Sequence, residues 1–239
     1  MSAGGTEEES DHGLACELME RLRVCYRRTE ALRYAGSLDM QKVWERTFRR
    51  AGLSLAYSQG FHPQPRLQQA APLPVGHLSE VDLLDFWLSD ETAPAEAESS
   101  LRSALPPGIE IRRMFPVALE EPAVQPRLVA QAYLISFFDD PPTDDVLERA
   151  ITSVLSSLSL PSEHHGRVRD LRPLVFDVRL DTPGRPSLDA EPRLWTQLSL
   201  RPQESVRPEE LVRLLGMDPL SAGYQRVGIC YRGWLGVNS

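Results

Sequence analysis

Between residues 22 and 234 the signals for strand and helix run through one order twice, and that repetition limits the possible folds more than any single motif. In the first pass "LRVCYRRT" (22–29) alternates Leu22, Val24 and Tyr26 with Arg23, Cys25 and Arg27, the period of a strand with one buried face. "SLDMQKVWERTFRRAG" (37–52) follows as a helix. Ser37 is its N-cap, Gly52 its stop, and Leu38, Val43, Trp44, Thr47, Phe48 and Ala51 its apolar stripe. Residues 53–58 predict a second strand, 79–89 a third, 93–106 a second helix and 109–117 a fourth strand.

The stretch 119–127, "LEEPAVQPR", is polar and proline-rich, as a linker is. Then the order returns: a strand at 128–138, a helix at 143–160 capped by Thr143, a strand at 169–181 interrupted by Pro173, and a strand at 192–202. A short helix at 207–216, with Pro208 in its first turn, and a strand at 224–234 complete it. Two βαββαβ passes predict an α+β protein of two tandem ferredoxin-like domains with antiparallel sheets, 20–118 and 128–234, side by side. Helices cover one face of such a sheet, and RNA-recognition modules use the other. Fold alone does not assign function.

Residues 1–18 are rich in acid and lack periodicity, which predicts a disordered acidic tail. The chain has no uncharged apolar run near the roughly 18 residues a membrane span needs. Its start lacks the basic-then-apolar order of a signal peptide, so the expectation is a cytoplasmic protein with no membrane partner. Cys16, Cys25 and Cys230 are scattered, which suits neither a disulfide framework nor an iron–sulfur cluster, and Cys25 and Cys230 read as structural thiols. His12 with Cys16, and the adjacent His164 and His165, lack a third ligand, so no metal site is expected.

Net charge is −8, yet residues 21–50 carry nine cations (Arg21, Arg23, Arg27, Arg28, Arg33, Lys42, Arg46, Arg49, Arg50) against Glu30, Asp39 and Glu45. A local basic cluster on an acidic protein is enough for an electrostatic footprint. Directly after it comes "AYSQGFHPQPRL" (56–67), where Pro63 and Pro65 exclude helix and Gly60 permits a tight turn. Phe61 and Tyr57 read first as core residues, with base stacking as the other use of such rings; His62 and Arg66 read as surface contacts. Glu80, Asp82 and Asp85 are expected to salt-bridge to the arginines, with Glu80 and Asp82 on one strand face and Asp85 on the other.

Residues 22–88 closely resemble the radical-SAM-linked bacterial family of unknown function DUF2344. The resemblance rests on "TEALRY" (29–34), "LD" opening the "ERTFRRAG" helix (45–52), "AYSQGFHPQP" (56–65) and "LPVGHLSEVDLLDFWL" (73–88). It implies an arrangement similar to the double ferredoxin-like CRISPR repeat-processing endoribonucleases. It also implies a cobalamin-binding radical-SAM protein as partner, fused or encoded nearby, and an RNA context from neighbouring ribonuclease E/G genes. The chain departs from the family pattern where a histidine is usual in "SHLD" and in "NPHPK": here Ser37 and Gln64 stand, while Arg66 keeps the charge of the lysine.

The expectation is therefore a non-catalytic accessory module with no cofactor in this chain, binding RNA or presenting it to a radical-SAM enzyme. Arg27, Arg28, Arg33, Arg46, Arg49, Arg50 and Arg66 are the candidate phosphate contacts, and Tyr57, Phe61 and His62 shape the site. Two other readings stay open: a protein-interaction partner of the radical-SAM protein without nucleic acid, and an endoribonuclease-like or RNA-modifying enzyme using His62.

Overall fold

The computed structural model describes residues 19–138, 140–164, 166–181 and 192–237, with the side chains of 164, 167, 192 and 234–237 also outside the description. The acidic tail (1–18, with His12 and Cys16) and the His164–His165 side chains fall outside it. In chain order the strands are β1 (Glu20–Arg28), β2 (Leu67–Gln69), β3 (Leu78–Leu88) and β4 (Ile109–Pro116) in the first half. The second half holds β5 (Leu128–Phe137), β6 (Pro161–His164), β7 (Arg167–Asp170), β8 (Val175–Leu180), β9 (Pro192–Arg201), β10 (Glu204–Ser205), β11 (Ala222–Tyr231) and β12 (Trp234–Val237). The helices are α1 (Ser37–Ala51), α2 (Pro94–Ala104), α3 (Asp144–Ser156) and α4 (Pro208–Leu214).

The two halves do not form two separate sheets. One ten-stranded sheet runs β10-β9-β5-β11-β3-β1-β4, with β8 beside β9, β2 beside β3 and β12 beside β11. All of its pairings are antiparallel except the seam, where β11 runs parallel to β3 with Gln225 opposite Leu78 and Arg226 opposite Ser79. The fold is thus mixed α+β around a large, mostly antiparallel sheet.

Helix α1 buries Met40, Trp44 and Phe48 against Leu22, Val24 and Tyr26 of β1, and Leu84, Phe86 and Leu88 of β3. Trp44 meets Tyr26 edge-on at 5.0 Å between ring centroids. Asp39 caps α1 by accepting from the Gly36 N–H, and Gly52 ends it in the left-handed region at φ 70°. In the second half, Leu147, Ile151 and Val154 of α3 and Leu211 and Val212 of α4 close over Tyr133, Ile135, Leu194, Leu198 and Tyr224. A third cluster, on the reverse face, joins Val81 and Leu83 of β3 to Leu128, Ile229 and Tyr231. Val124, in the proline-rich stretch expected as a linker, is buried in that cluster.

Two expectations fail locally for identifiable reasons. Residues 53–58 form no strand, only isolated bridges of Leu55 to Leu88 and Tyr57 to Pro65, because proline offers no N–H to carry the ladder on. The second strand of the first half is the short β2 instead. Residues 169–181 split into β7, a 3-10 turn Arg172–Leu174 containing Pro173, and β8. The hairpin of β6 with β7 was not foreseen.

Candidate functional site

The arginines of the expected basic rim divide into two groups with different jobs. Arg28 is buried, and its guanidinium donates to the carbonyls of Ala35 (3.2 Å), Pro74 (3.2 Å) and His77 (3.1 Å). Burial pulls its pKa down. Arg33 is nearly buried, pairs with Glu30 at 2.8 Å and donates to the Gly76 carbonyl. Arg27 pairs with Glu80 (3.1 Å) and Glu110 (3.2 Å). Arg50 donates to the Ala104 carbonyl at the end of α2 (2.8 Å). Arg28 and Arg33 therefore leave the rim, because their donors are already taken by backbone and by Glu30. Arg27 and Arg50 are committed to intramolecular partners.

Arg46 and Arg49, on the outer side of α1, are exposed and have no ion pair among the described residues. Arg49 shares a shallow depression of about 250 Å³ with Glu45, Phe48, Leu55, Tyr57 and Pro65. The loop beyond is closed at its neck: the Ser58 N–H donates to the Gln64 carbonyl (2.8 Å) and the Gln64 N–H to Ser58 Oγ (3.0 Å). Gly60 at φ 137° takes a conformation closed to other residues, and it turns Phe61 and His62 outward at the tip. Phe61 is fully exposed and Tyr57 more than half exposed, so the expected core packing of both rings is overturned. Once the neck closes on itself, the tip has no core to reach. His62 is exposed and makes no hydrogen bond among the described residues, so it has no neighbour to set it up as a general base.

Arg66 lies at the other end of the loop. It stacks on Trp87 at 4.6 Å, and its Nη1 approaches Met19 Sδ at 3.2 Å. Arg21 stacks on Trp87 as well, at 5.1 Å.

What the sequence reading did not foresee is a buried ionic framework. On the reverse face Asp85 accepts from Arg21 and from Arg23 (Nε at 2.6 Å, Nη2 at 2.9 Å), and all three are buried. Burial lowers the Arg23 pKa, and the hydrogen bond and charge of Asp85 more than reverse this, leaving it raised. Glu121 links Arg23 (3.4 Å) to Arg127 (2.9 Å), tying 119–127 to the sheet. At the seam Asp82 accepts from Arg226 and from Ser79 Oγ (2.7 Å). His77 joins the halves: its Nε2 lies 3.0 Å from Glu209 on α4, and its ring stacks on Tyr224 at 4.8 Å. Burial raises the Glu209 pKa, but the His77 hydrogen bond and charge outweigh it and leave it lowered.

The expected salt bridging of Glu80, Asp82 and Asp85 is present, but Glu80 and Asp82 do not work on one face. A bulge between Tyr26 and Arg28 shifts the β1–β3 register, so that Glu80 meets Arg27 and Arg112 while Asp82 turns to Arg226. The segment "LPVGHLSE" thus supplies carbonyls and side chains to the seam rather than to a surface site.

Burial pushes the Cys25 thiol up to about 11 and raises that of Cys230. Cys25 will then be ionised to only about one part in a thousand at pH 8, and its alkylation there will be slower than that of a free thiol by on the order of tenfold to a hundredfold. Peptide-resolved iodoacetamide kinetics checks this; labelling at the rate of a free thiol would refute it. Among the described residues no three His, Cys, Asp or Glu side chains are placed to hold a metal ion, and no helix is long and apolar enough to cross a membrane.

A crystal structure of an unknown protein from Galdieria sulphuraria aligns at 13% identity over 83% of this chain and 90% of that one, with a TM-score of 0.26, a likeness too slight to carry an argument. No curated protein matches the chain. A family profile described as an uncharacterized protein conserved in bacteria matches residues 21–208, a span running from β1 into α4, and the chain belongs to that family, DUF2344.

Proposed function

We propose that the chain is a non-catalytic accessory module that binds RNA, or presents it to a radical-SAM enzyme, through the rim formed by Arg46, Arg49, Tyr57, Phe61 and His62. The observation that carries this reading is the depression that Arg49, which has no ion pair among the described residues, shares with the exposed Tyr57, next to a closed loop whose Phe61 is fully exposed. Exposed cations attract phosphate, and exposed rings give a base something to stack on. The cobalamin-binding radical-SAM partner rests on the family resemblance. Each half is read as a ferredoxin-like unit; the strand orders β4-β1-β3 and β11-β5-β9-β8 support this, with the shared seam as the departure.

Changing both Arg46 and Arg49 to alanine will weaken binding of a fluorescein-labelled single-stranded RNA about tenfold at low salt. The slope of log affinity against log salt will fall by about 1.4, roughly 0.7 per phosphate contact on a single strand. Fluorescence anisotropy reads both quantities, and an unchanged affinity and slope removes the rim from the account. A second reading, docking of a protein without nucleic acid, draws on the exposure of Tyr34, Leu38 and Val75 near the start of α1. Recovery of the same protein partner from nuclease-treated and untreated cell extracts, with no RNA in either, would favour it.

A further inference from the structure

The second half carries an arrangement that the rim does not use. On the helix-free face of β8 and β9, Arg179 and Trp195 are direct cross-strand partners, and the guanidinium carbon lies 4.3 Å from the ring centroid. Two residues along each strand, Asp177 stands opposite Gln197 on the same face. Further on, Arg201 lies over Phe176 at 5.8 Å.

Strand alternation alone would send Phe176 to the opposite face from Asp177 and Arg179. The register shift between Val175 and Asp177 cancels that alternation, so Phe176 joins Arg201 on the same side as Trp195. Bulges re-aim side chains in this way, at a local cost to the ladder. The core does not need Phe176: Val175 and Val178 already fill that position. The bulge therefore places a large ring outside, 39% exposed, beside arginines that are 62% (Arg179) and 50% (Arg201) exposed. The acids nearby hold these arginines only loosely, Asp177 at 3.5 Å from Arg179 and Glu204 at 3.7 Å from Arg201.

Resting on the RNA reading above, we infer that this strip is a second contact for the same single-stranded RNA, with bases stacking on the Arg179–Trp195 and Arg201–Phe176 pairs. From Trp195 to Arg201 the strip is about 20 Å long at the usual rise of a strand. Guanidinium planes and rings both accept a stacked base, and exposed arginines supply charge complementary to phosphate. Between the two stacking pairs, Gln197 and Asp177 offer an amide and a carboxylate to base edges or 2′-hydroxyls. Duplex RNA fits the strip poorly, because paired bases have no free face to offer it.

The test uses the full chain and a fluorescein-labelled single-stranded RNA of about 20 nucleotides containing 4-thiouridine. Arg179→Ala combined with Phe176→Ser changes exposed side chains only, and Trp195→Leu is a second variant that keeps apolar bulk. Each will lower affinity about tenfold, and ultraviolet cross-links will fall on 175–180 and 192–201. If both variants bind as the unaltered chain does and no cross-link reaches these strands, the strip is overturned while the rim stands. If the strip variants weaken binding but the Arg46/Arg49 variant does not, the rim reading falls and the strip stands. If the unaltered chain binds no RNA at all, both fall. A loss of affinity accompanied by a changed circular dichroism spectrum in both variants, with no cross-links to the strip, counts against the strip.

Discussion

Replacing Asp85 with alanine will lower the unfolding free energy by about 3–5 kcal/mol, because two buried guanidinium groups lose the buried carboxylate they share. Arg21 and Arg23 both close on Asp85, and each is about as buried as a core leucine. Arg23 keeps a hydrogen bond to the Tyr231 hydroxyl (2.9 Å) and a longer contact to Glu121, and Arg21 keeps the carbonyls of Ala118 and Glu121. These remaining acceptors are neutral or only partly buried, so they offset a small part of the loss. The same change loosens 119–127, whose Glu121 and Val124 rest on this cluster and its apolar neighbours. Urea denaturation of the variant, fitted with an unchanged slope, reads the loss directly. A cost below about 1 kcal/mol would mean that water reaches the arginines and that the cluster behaves as a surface pair.

The order of elements was legible because its signals are local. Leu22, Val24 and Tyr26 alternate within one strand, and the stripe of α1 repeats within one helix. The joining of two sheets into one was not legible, since it depends on two pairs at the seam, Gln225 with Leu78 and Arg226 with Ser79, about 147 residues apart in the chain. The basic rim was legible only in part for the same reason. From sequence, Arg28 and Arg49 are equivalent cations; their difference lies in what faces them. Arg28 faces the Pro74 and His77 carbonyls, while Arg49 faces solvent. The complementary charges of β1 and β3 were a usable signal for pairing, but a strand rich in arginine also reads as a solvated face. Phe61 was misplaced because an aromatic ring is a core residue on average, and only the Ser58–Gln64 closure shows that this one cannot turn inward.

The seam pair gives the sharper test of what buried charge does here. Asp82→Ala alone leaves Arg226 with the Ala71 carbonyl and no counter-charge, and it also removes the nearby charge that supports the buried Arg28. That variant will lose about 3–5 kcal/mol. Changing Asp82 to leucine together with Arg226 to methionine removes both charges and keeps apolar bulk, and it will recover stability to within about 1 kcal/mol of the unaltered chain, or exceed it. Asp82 and Asp85 belong to separate hydrogen-bond networks, so the Asp85 cost will add to the Asp82 cost within about 0.5 kcal/mol. If the double variant instead stays as unstable as the single one, the pair is not replaceable by packing. The ion pair would then fix the parallel register of β11 against β3, since only two residue pairs hold that register along the ladder. Guanidinium denaturation followed by tryptophan fluorescence separates the cases, because Trp44 and Trp87 report the first half and Trp195 the second. A register fault at the seam will split the transition into two, whereas simple loss of charge pairing will leave one cooperative transition at a lower midpoint.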